Sequence, residues 1–468
     1  MGQEAILRKF VGYININGQP DDNKILLKKR LLSGHCFGFS VCYGAMQAMG
    51  KLDWWENVLI TLSQWDDEES SLDKEFDLQF IDSDKTPVSQ STTLRKLFER
   101  AVNYVVFNQA GHINDFTSPD IDQATILTVP PDDLSTVQKL NYFEITDQGG
   151  FVQNIKQYAN ASGYLSEKDI TELLSKAVKS GVICTVQNHN HAISISMDTD
   201  NQLMIYDPNY LYTKETIKKN LDMPALVQEI IKILGPHNGL CIEVATFKQE
   251  DKKLFNEFNI YMNELVTNKA REILEYNGLN ILARHNTKLM LKLLERAARP
   301  GGGPIITNIA AALAITNYGR TAFSFLTQRC PESIPTLLKL AAEPGGWPIL
   351  MGISKALTMQ TNEGWTGFHL LIHYSPESIP KLLDLDAILG GKLVLTNIAN
   401  ALTMQTDDGW SGFRILIHYS PELIQKLLER AARTGGKPIL TNIATALTIR
   451  HSAPKFRFIA PGHSILVS

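Results

Sequence analysis

Three short segments carry residue types that do chemistry together. They are Gly34-His35-Cys36-Phe37-Gly38-Phe39-Ser40, Asn190-His191-Ala192-Ile193-Ser194-Ile195 and Ile205-Tyr206-Asp207-Pro208-Asn209-Tyr210. A thiol becomes a strong nucleophile when a neighbouring base takes its proton, and an imidazole base works when an acid fixes its orientation. Cys36 as nucleophile, His191 as general base and Asp207 as orienting acid supply that set. Together they specify thiolate attack on a carbonyl carbon.

The elements around these residues must bring them into one place. Phe39, Cys42, Met46 and Met49 follow helical spacing, which predicts a helix from Cys36 to about Gly50, with Gly34 allowing a sharp entry. A cysteine at a helix start sits in the positive field of unpaired N–H groups, which favours the thiolate and supplies half of an oxyanion hole. Cys42, farther along the helix, reads as a small buried hydrophobe. Downstream, Val182–Val186 reads as a strand. His191, Ile193, Ile195 and Met197 then alternate with Ala192, Ser194 and Ser196, and Leu203–Tyr206 returns after the turn signal Asp198-Thr199-Asp200-Asn201. A hairpin centred on Thr199 puts His191 directly opposite Asp207, with Cβ atoms roughly 5 Å apart. His189 is set aside because only His191 starts the alternation and meets Asp207.

The Gly-x-Cys-x-Gly-x-Ser segment, the His-Ala followed by an alternating strand, and the Asp-Pro-Asn that closes the next strand resemble the YopT-type effector cysteine peptidases. These are papain-like enzymes that bacteria deliver into host cells. The resemblance covers about residues 30–215 and implies nucleophile, base and acid roles for Cys36, His191 and Asp207. It also implies export without a signal peptide into the host cytoplasm. Two departures stand out. Leu211 follows Tyr210 where family members often have Gly, and the side-chain oxyanion donor is unassigned among Asn15, Asn17 and Gln19. The stretch from about Lys51 to Gly150, with its acidic run Trp65-Asp66-Asp67-Glu68-Glu69, reads as an insertion.

Beyond about residue 265 a repeat takes over. Trp365-Thr366-Gly367-Phe368 recurs as Trp410-Ser411-Gly412-Phe413, and His373-Tyr374-Ser375-Pro376-Glu377 as His418-Tyr419-Ser420-Pro421-Glu422, both offset by 45 residues. Ile309–Leu313, Ile353–Leu357, Ile398–Leu402 and Ile443–Leu447 are four versions of one short helix. Such a period predicts a solenoid of stacked helical units. Each unit reads as a turn, a first helix such as Phe368–Tyr374, and a second helix capped by Ser375 with Pro376 at its first position. A Gly-Gly pair (Gly390-Gly391, Gly435-Gly436) precedes the third helix. The turn and first helix look like an ankyrin repeat, and a HEAT- or armadillo-like stack is the alternative. His373 and His418 read as packing residues, as do Trp365 and Trp410.

The expected fold is therefore an α+β papain-like N-terminal domain followed by an all-α solenoid of ankyrin-like or HEAT-like repeats. Its parts are a peptidase domain at 1–250, a helical linker at 251–285, repeats at 286–452 and a tail at 453–468. A net charge of −4 with scattered basic residues gives no footprint for nucleic acid, and no apolar stretch is long enough to span a bilayer. Five irregularly spaced cysteines offer neither a disulfide framework nor zinc-ligand spacing, so no metal or cofactor is expected. Gly2 is followed by Ile6 where myristoylation wants Ser or Thr. The expected activity is cysteine peptidase cleavage of a host protein bound through the repeats. The same three residues serve a deamidase, transglutaminase or acyltransferase, and a non-catalytic repeat scaffold is the reading from another class.

Overall fold

A computed structural model describes residues 3–16, 35–82, 84–112, 143–145, 151–153, 157–198, 200–210, 217–246, 252–317, 319–389, 392–434 and 437–448. Gly2, Asn17, Gln19, Gly34, Thr199, Leu211, both Gly-Gly pairs and the 453–468 tail lie outside them.

The chain is mixed α and β in its first half and helical in its second. Helices α1 (Gln3–Ile16), α2 (Cys36–Ala48) and α3 (Leu52–Ser63) precede a hairpin of β1 (Glu75–Ile81) and β2 (Pro87–Thr93), then α4 (Leu94–His112). Two short paired strands, β3 (Phe143–Ile145) and β4 (Phe151–Gln153), lead to β5 (Gln157–Gly163) and α5 (Glu167–Ala177). Next come β6 (Val182–Gln187), β7 (Ala192–Met197), β8 (Leu203–Tyr206), β9 (Ile217–Leu221), α6 (Met223–Leu234), β10 (Leu240–Thr246) and α7 (Lys252–Asn268). One six-stranded antiparallel sheet runs in the order β5-β10-β6-β7-β8-β9.

Strands β6, β7, β8 and β10 are buried nearly throughout, so both faces of this sheet are covered. On one side α2 lies against β6 and β7 with residues 37–46 all buried. Gly44 permits that approach, because a Cβ there would sit 2.9 Å from Ser194 Oγ and 3.0 Å from the Ile183 side chain. Helices α1, α3 and α4 complete this core with Phe10, Trp55 and Phe98. The 51–150 stretch, expected as an insertion, thus contributes α3, the hairpin and α4 to the layer that buries α2.

On the other side of the sheet, Val186, Ile193, Ile195 and Val244 pack with α5, α6 and α7, and this core continues without interruption into the helical half. The 251–285 segment, expected as a linker, packs one face into the core: Phe258 of α7 and Leu279 and Leu282 of helix Gly278–His285 are fully buried.

The helical half is built of units of three helices. Gly278–His285, Ala322–Arg329, Gly367–Tyr374 and Gly412–Tyr419 are the first helices, and each packs on its counterpart in the next unit. The second helices (Thr287–Ala297, Ser333–Ala342, Ser378–Ile388, Glu422–Thr434) and the third (Gly303–Leu313, Trp347–Ala356, Leu393–Thr403, Lys437–Thr448) do the same. The first unit therefore starts at Gly278, ahead of the expected boundary at 286. Its opening helix lacks the Trp-Thr/Ser-Gly-Phe phrase that marks the last two copies.

First helices open on equivalent caps, where Thr321, Thr366 and Ser411 accept the N–H of Ser324, His369 and Arg414. That cap satisfies a backbone donor left open by the helix start. Ser375 does not cap the second helix as expected. It ends the first helix, its hydroxyl donates to Glu377 Oε1 at 2.7 Å, and the second helix starts at Ser378. The repeated histidines pack: His373 lies edge-on to Trp365, Tyr374 and Tyr419, and His418 to Trp410 and Tyr419. Arg414 stacks over Trp410.

Candidate active site

Helix α2 presents Cys36 as its first residue. Its flanking residue, His35, makes no side-chain cap. Two contacts fix α2 against the strands that carry the other site residues. Ser40 Oγ donates to the Ala192 carbonyl at 2.9 Å, one residue beyond His191. Tyr43 stacks on Tyr206, one residue before Asp207, with ring centroids 4.0 Å apart.

His191 and Asp207 meet: His191 Nε2 lies 2.8 Å from Asp207 Oδ1, with both side chains nearly buried. The hairpin register differs from the expectation. Ser194 pairs with Tyr206 and Ile195 with Ile205, so the turn centres on Asp200 and Asp207 is not directly opposite His191. The cause is a wider turn, in which Asp198 N donates to the Gln202 carbonyl and Asn201 takes a positive φ of 59°. His191 and Asp207 both sit one residue outside the paired strands, where the side chains approach across the end of the ladder.

The Cys36 thiol reaches the same imidazole, and its sulfur is 3.9 Å from the Asn190 carbonyl oxygen. With Nε2 spent on Asp207, Nδ1 is the ring nitrogen left for sulfur. Burial, the largest single influence on His191, favours the neutral ring. Hydrogen bonds to Asp207 and Cys36, with the charges of both, outweigh it and raise the imidazole to about 9. An imidazolium that persists through neutral pH is the partner a thiolate needs.

The other histidine of this segment points elsewhere. His189 Nδ1 is 3.3 Å from Asn277 Nδ2, its carbonyl accepts from Arg284, and burial with the Arg284 charge lowers its pKa to about 4. Among the cysteines, Cys36 alone is part-exposed; the other four are buried. Burial pushes the Cys184 thiol up to about 12, and Cys330, also beside Glu332, goes equally far.

Two positioning residues escaped the sequence reading. Asn188 Oδ1 accepts from Asn190 N at 2.9 Å and His191 N at 2.8 Å, while its own amide donates to the Leu234 carbonyl. That Asx turn delivers His191, and the Asn-x-Asn-His pattern was its signal. Gln3 Oε1 accepts from His35 N at 3.3 Å, and its amide donates to Asn209 Oδ1 at 2.9 Å. Asn209 N in turn donates to Asp207 Oδ1 at 2.9 Å, and Asn209 Nδ2 lies 3.4 Å from His191 Nε2. Gln3 is thus the side-chain amide beside the α2 start. Asn15, on the same helix, stands about 18 Å farther along it at 1.5 Å per residue.

Comparison of the chain with protein-family models, with curated proteins and with solved structures finds no match.

Proposed function

We propose that the protein is a papain-like cysteine peptidase with Cys36 as nucleophile, His191 as base and acid, and Asp207 as the residue that orients it. The observation that carries this reading is one cluster of thiol, imidazole and carboxylate at a helix start, with His191 held protonated up to about 9. Cys36 Sγ bonds to the substrate carbonyl carbon, and the carbonyl electron pair moves to oxygen, facing the helix N-terminus with the Gln3 amide beside it. His191 gives its proton to the leaving amine. Water then attacks the thioester, with His191 taking the water proton, and the acid product leaves as the thiolate–imidazolium pair reforms.

The repeated units support a substrate-binding role, because a solenoid of ankyrin-like or HEAT-like repeats exposes an extended concave face. The three motifs shared with YopT-type peptidases support an effector that acts on a host protein in the host cytoplasm.

Host cells that express the full chain are expected to gain new protein N-termini that are absent when His191→Ala is expressed. Mapping of N-termini by mass spectrometry reads this. A one-dalton change at Gln or Asn side chains without new termini would mean deamidation, and a phenotype identical for both chains would mean a binding scaffold. In vitro, kcat/KM is expected to fall above about pH 9 as His191 loses its proton. Asp207→Asn removes the leading influence that raises His191, so this limb moves to lower pH. A limb that stays in place would remove Asp207 from the assignment.

A further inference from the structure

On the α2 side of the sheet lies a buried polar patch that the proposed chemistry does not use. Alternation along β10 puts Cys241 and Glu243 on the face shared by Ala245. The register places Cys241 between Ser162 of β5 and Gln187 of β6, and Glu243 between Asn160 and Thr185. Cys241 is 0% exposed, Glu243 7%, Ser162 0% and Gln187 2%. Burial of so many polar groups in one place is unfavourable unless they are jointly satisfied. His285, at the end of helix Gly278–His285, enters this patch with its side chain 2% exposed.

We infer that Cys241, Glu243 and His285 form a binding site for a divalent transition-metal ion, zinc in the first place. Glu243 Oε1 lies 3.7 Å from Cys241 Sγ and 3.8 Å from His285 Nδ1, and all three donor atoms fall within 4.8 Å of one another. Ligands about 2.0–2.3 Å from a tetrahedral zinc are separated by roughly 3.3–3.8 Å, so two of the three edges already match. The donor set of thiolate, imidazole and carboxylate is that of zinc rather than of magnesium or calcium. A 2+ ion also balances one thiolate and one carboxylate, which leaves the buried site neutral. Ser162 Oγ donates to the sulfur at 3.3 Å, an outer hydrogen bond of the kind that orients a ligand. Asn160 Nδ2 holds the His285 carbonyl at 2.9 Å, which fixes the helix end that brings the imidazole. A water completes the fourth position. The ion would clip the first helix of the repeated units to the sheet, so its role is structural.

The test is metal analysis of the full chain isolated without chelator, followed by cobalt(II) exchange. About one zinc per chain is expected, held through dialysis. The cobalt form should show thiolate-to-metal charge-transfer absorption that persists in Cys36→Ala and disappears in Cys241→Ser. Glu243→Gln should lower the bound stoichiometry. A metal-free chain that takes up no cobalt, a cobalt spectrum without the thiolate band, or one that vanishes with Cys36 rather than Cys241 would each overturn the site. The first two outcomes need no variant, so they decide even if Cys241→Ser fails to fold.

Discussion

Cys36→Ala is expected to lower kcat/KM by at least about a thousandfold, because the covalent route disappears and only binding and electrostatic stabilisation are left. The same chain should unfold at close to the parental midpoint. Cys36 is part-exposed, and the one hydrogen bond resolved for its thiol besides the imidazole is a long 3.9 Å contact to a carbonyl. Alanine removes little packing there. Paired measurement of peptidase activity and urea unfolding separates the two effects. Activity that survives the substitution would exclude thiol chemistry at this position, and loss of folding together with activity would assign Cys36 a structural role.

The second large effect concerns the contact between repeated units. Gly412→Ala and Gly367→Ala are each expected to destabilise the fold by roughly 2–3 kcal/mol. At Gly412 the added Cβ would lie 2.2 Å from the Ala401 carbonyl oxygen and 2.7 Å from His369 Nε2. At Gly367 it would lie 2.4 Å from the Ala356 oxygen. Those oxygens are backbone atoms of helix ends, so relief requires whole helices to separate. His369 makes the Gly412 site stiffer, since it is buried, caps its own helix with Thr366 and bonds the Ala401 carbonyl through Nε2 at 3.1 Å. Gly303→Ala is the matched control. It also opens a helix but meets nothing within 4 Å, so it should be neutral or stabilising by up to about 1 kcal/mol. Urea midpoints that shift equally for Gly303 and Gly412 would show that helix propensity, not close approach, governs these positions.

These positions also show what a sequence can reveal. Gly367 and Gly412 recur at a fixed offset, as do the caps Thr366 and Ser411, because these two copies meet like neighbours, whereas the preceding copy keeps the cap as Thr321 but carries Ala322 in place of the glycine. The copy that packs on the sheet meets a different neighbour, and its opening helix at Gly278–His285 has lost the phrase. In the candidate site, the residue types and order of Cys36, His191 and Asp207 were legible, since each stands in a short local motif. The pairing register was not, because it depends on the width of the Asp198–Gln202 turn. Gln3 and Asn209 meet across 206 positions, and nothing local marks such a partner. The Cys241, Glu243 and His285 cluster escaped for the same reason, as its third member arrives from a different layer of the fold.

The uninterrupted core that links the sheet to the repeated helices has a consequence for how such a protein can change. Ile242 and Val244 of the sheet and Leu279 and Leu282 of the first unit belong to one apolar body that runs on to Ile439. Among the described residues there is therefore no seam near residue 265, since a cut there would strip cover from β5 and β10. Units can be gained, lost or exchanged without that penalty only at the far end of the array. Under the proposed function, variation in what the repeats bind is thus channelled away from the thiol, and the reach between a bound substrate and Cys36 is counted in whole repeats.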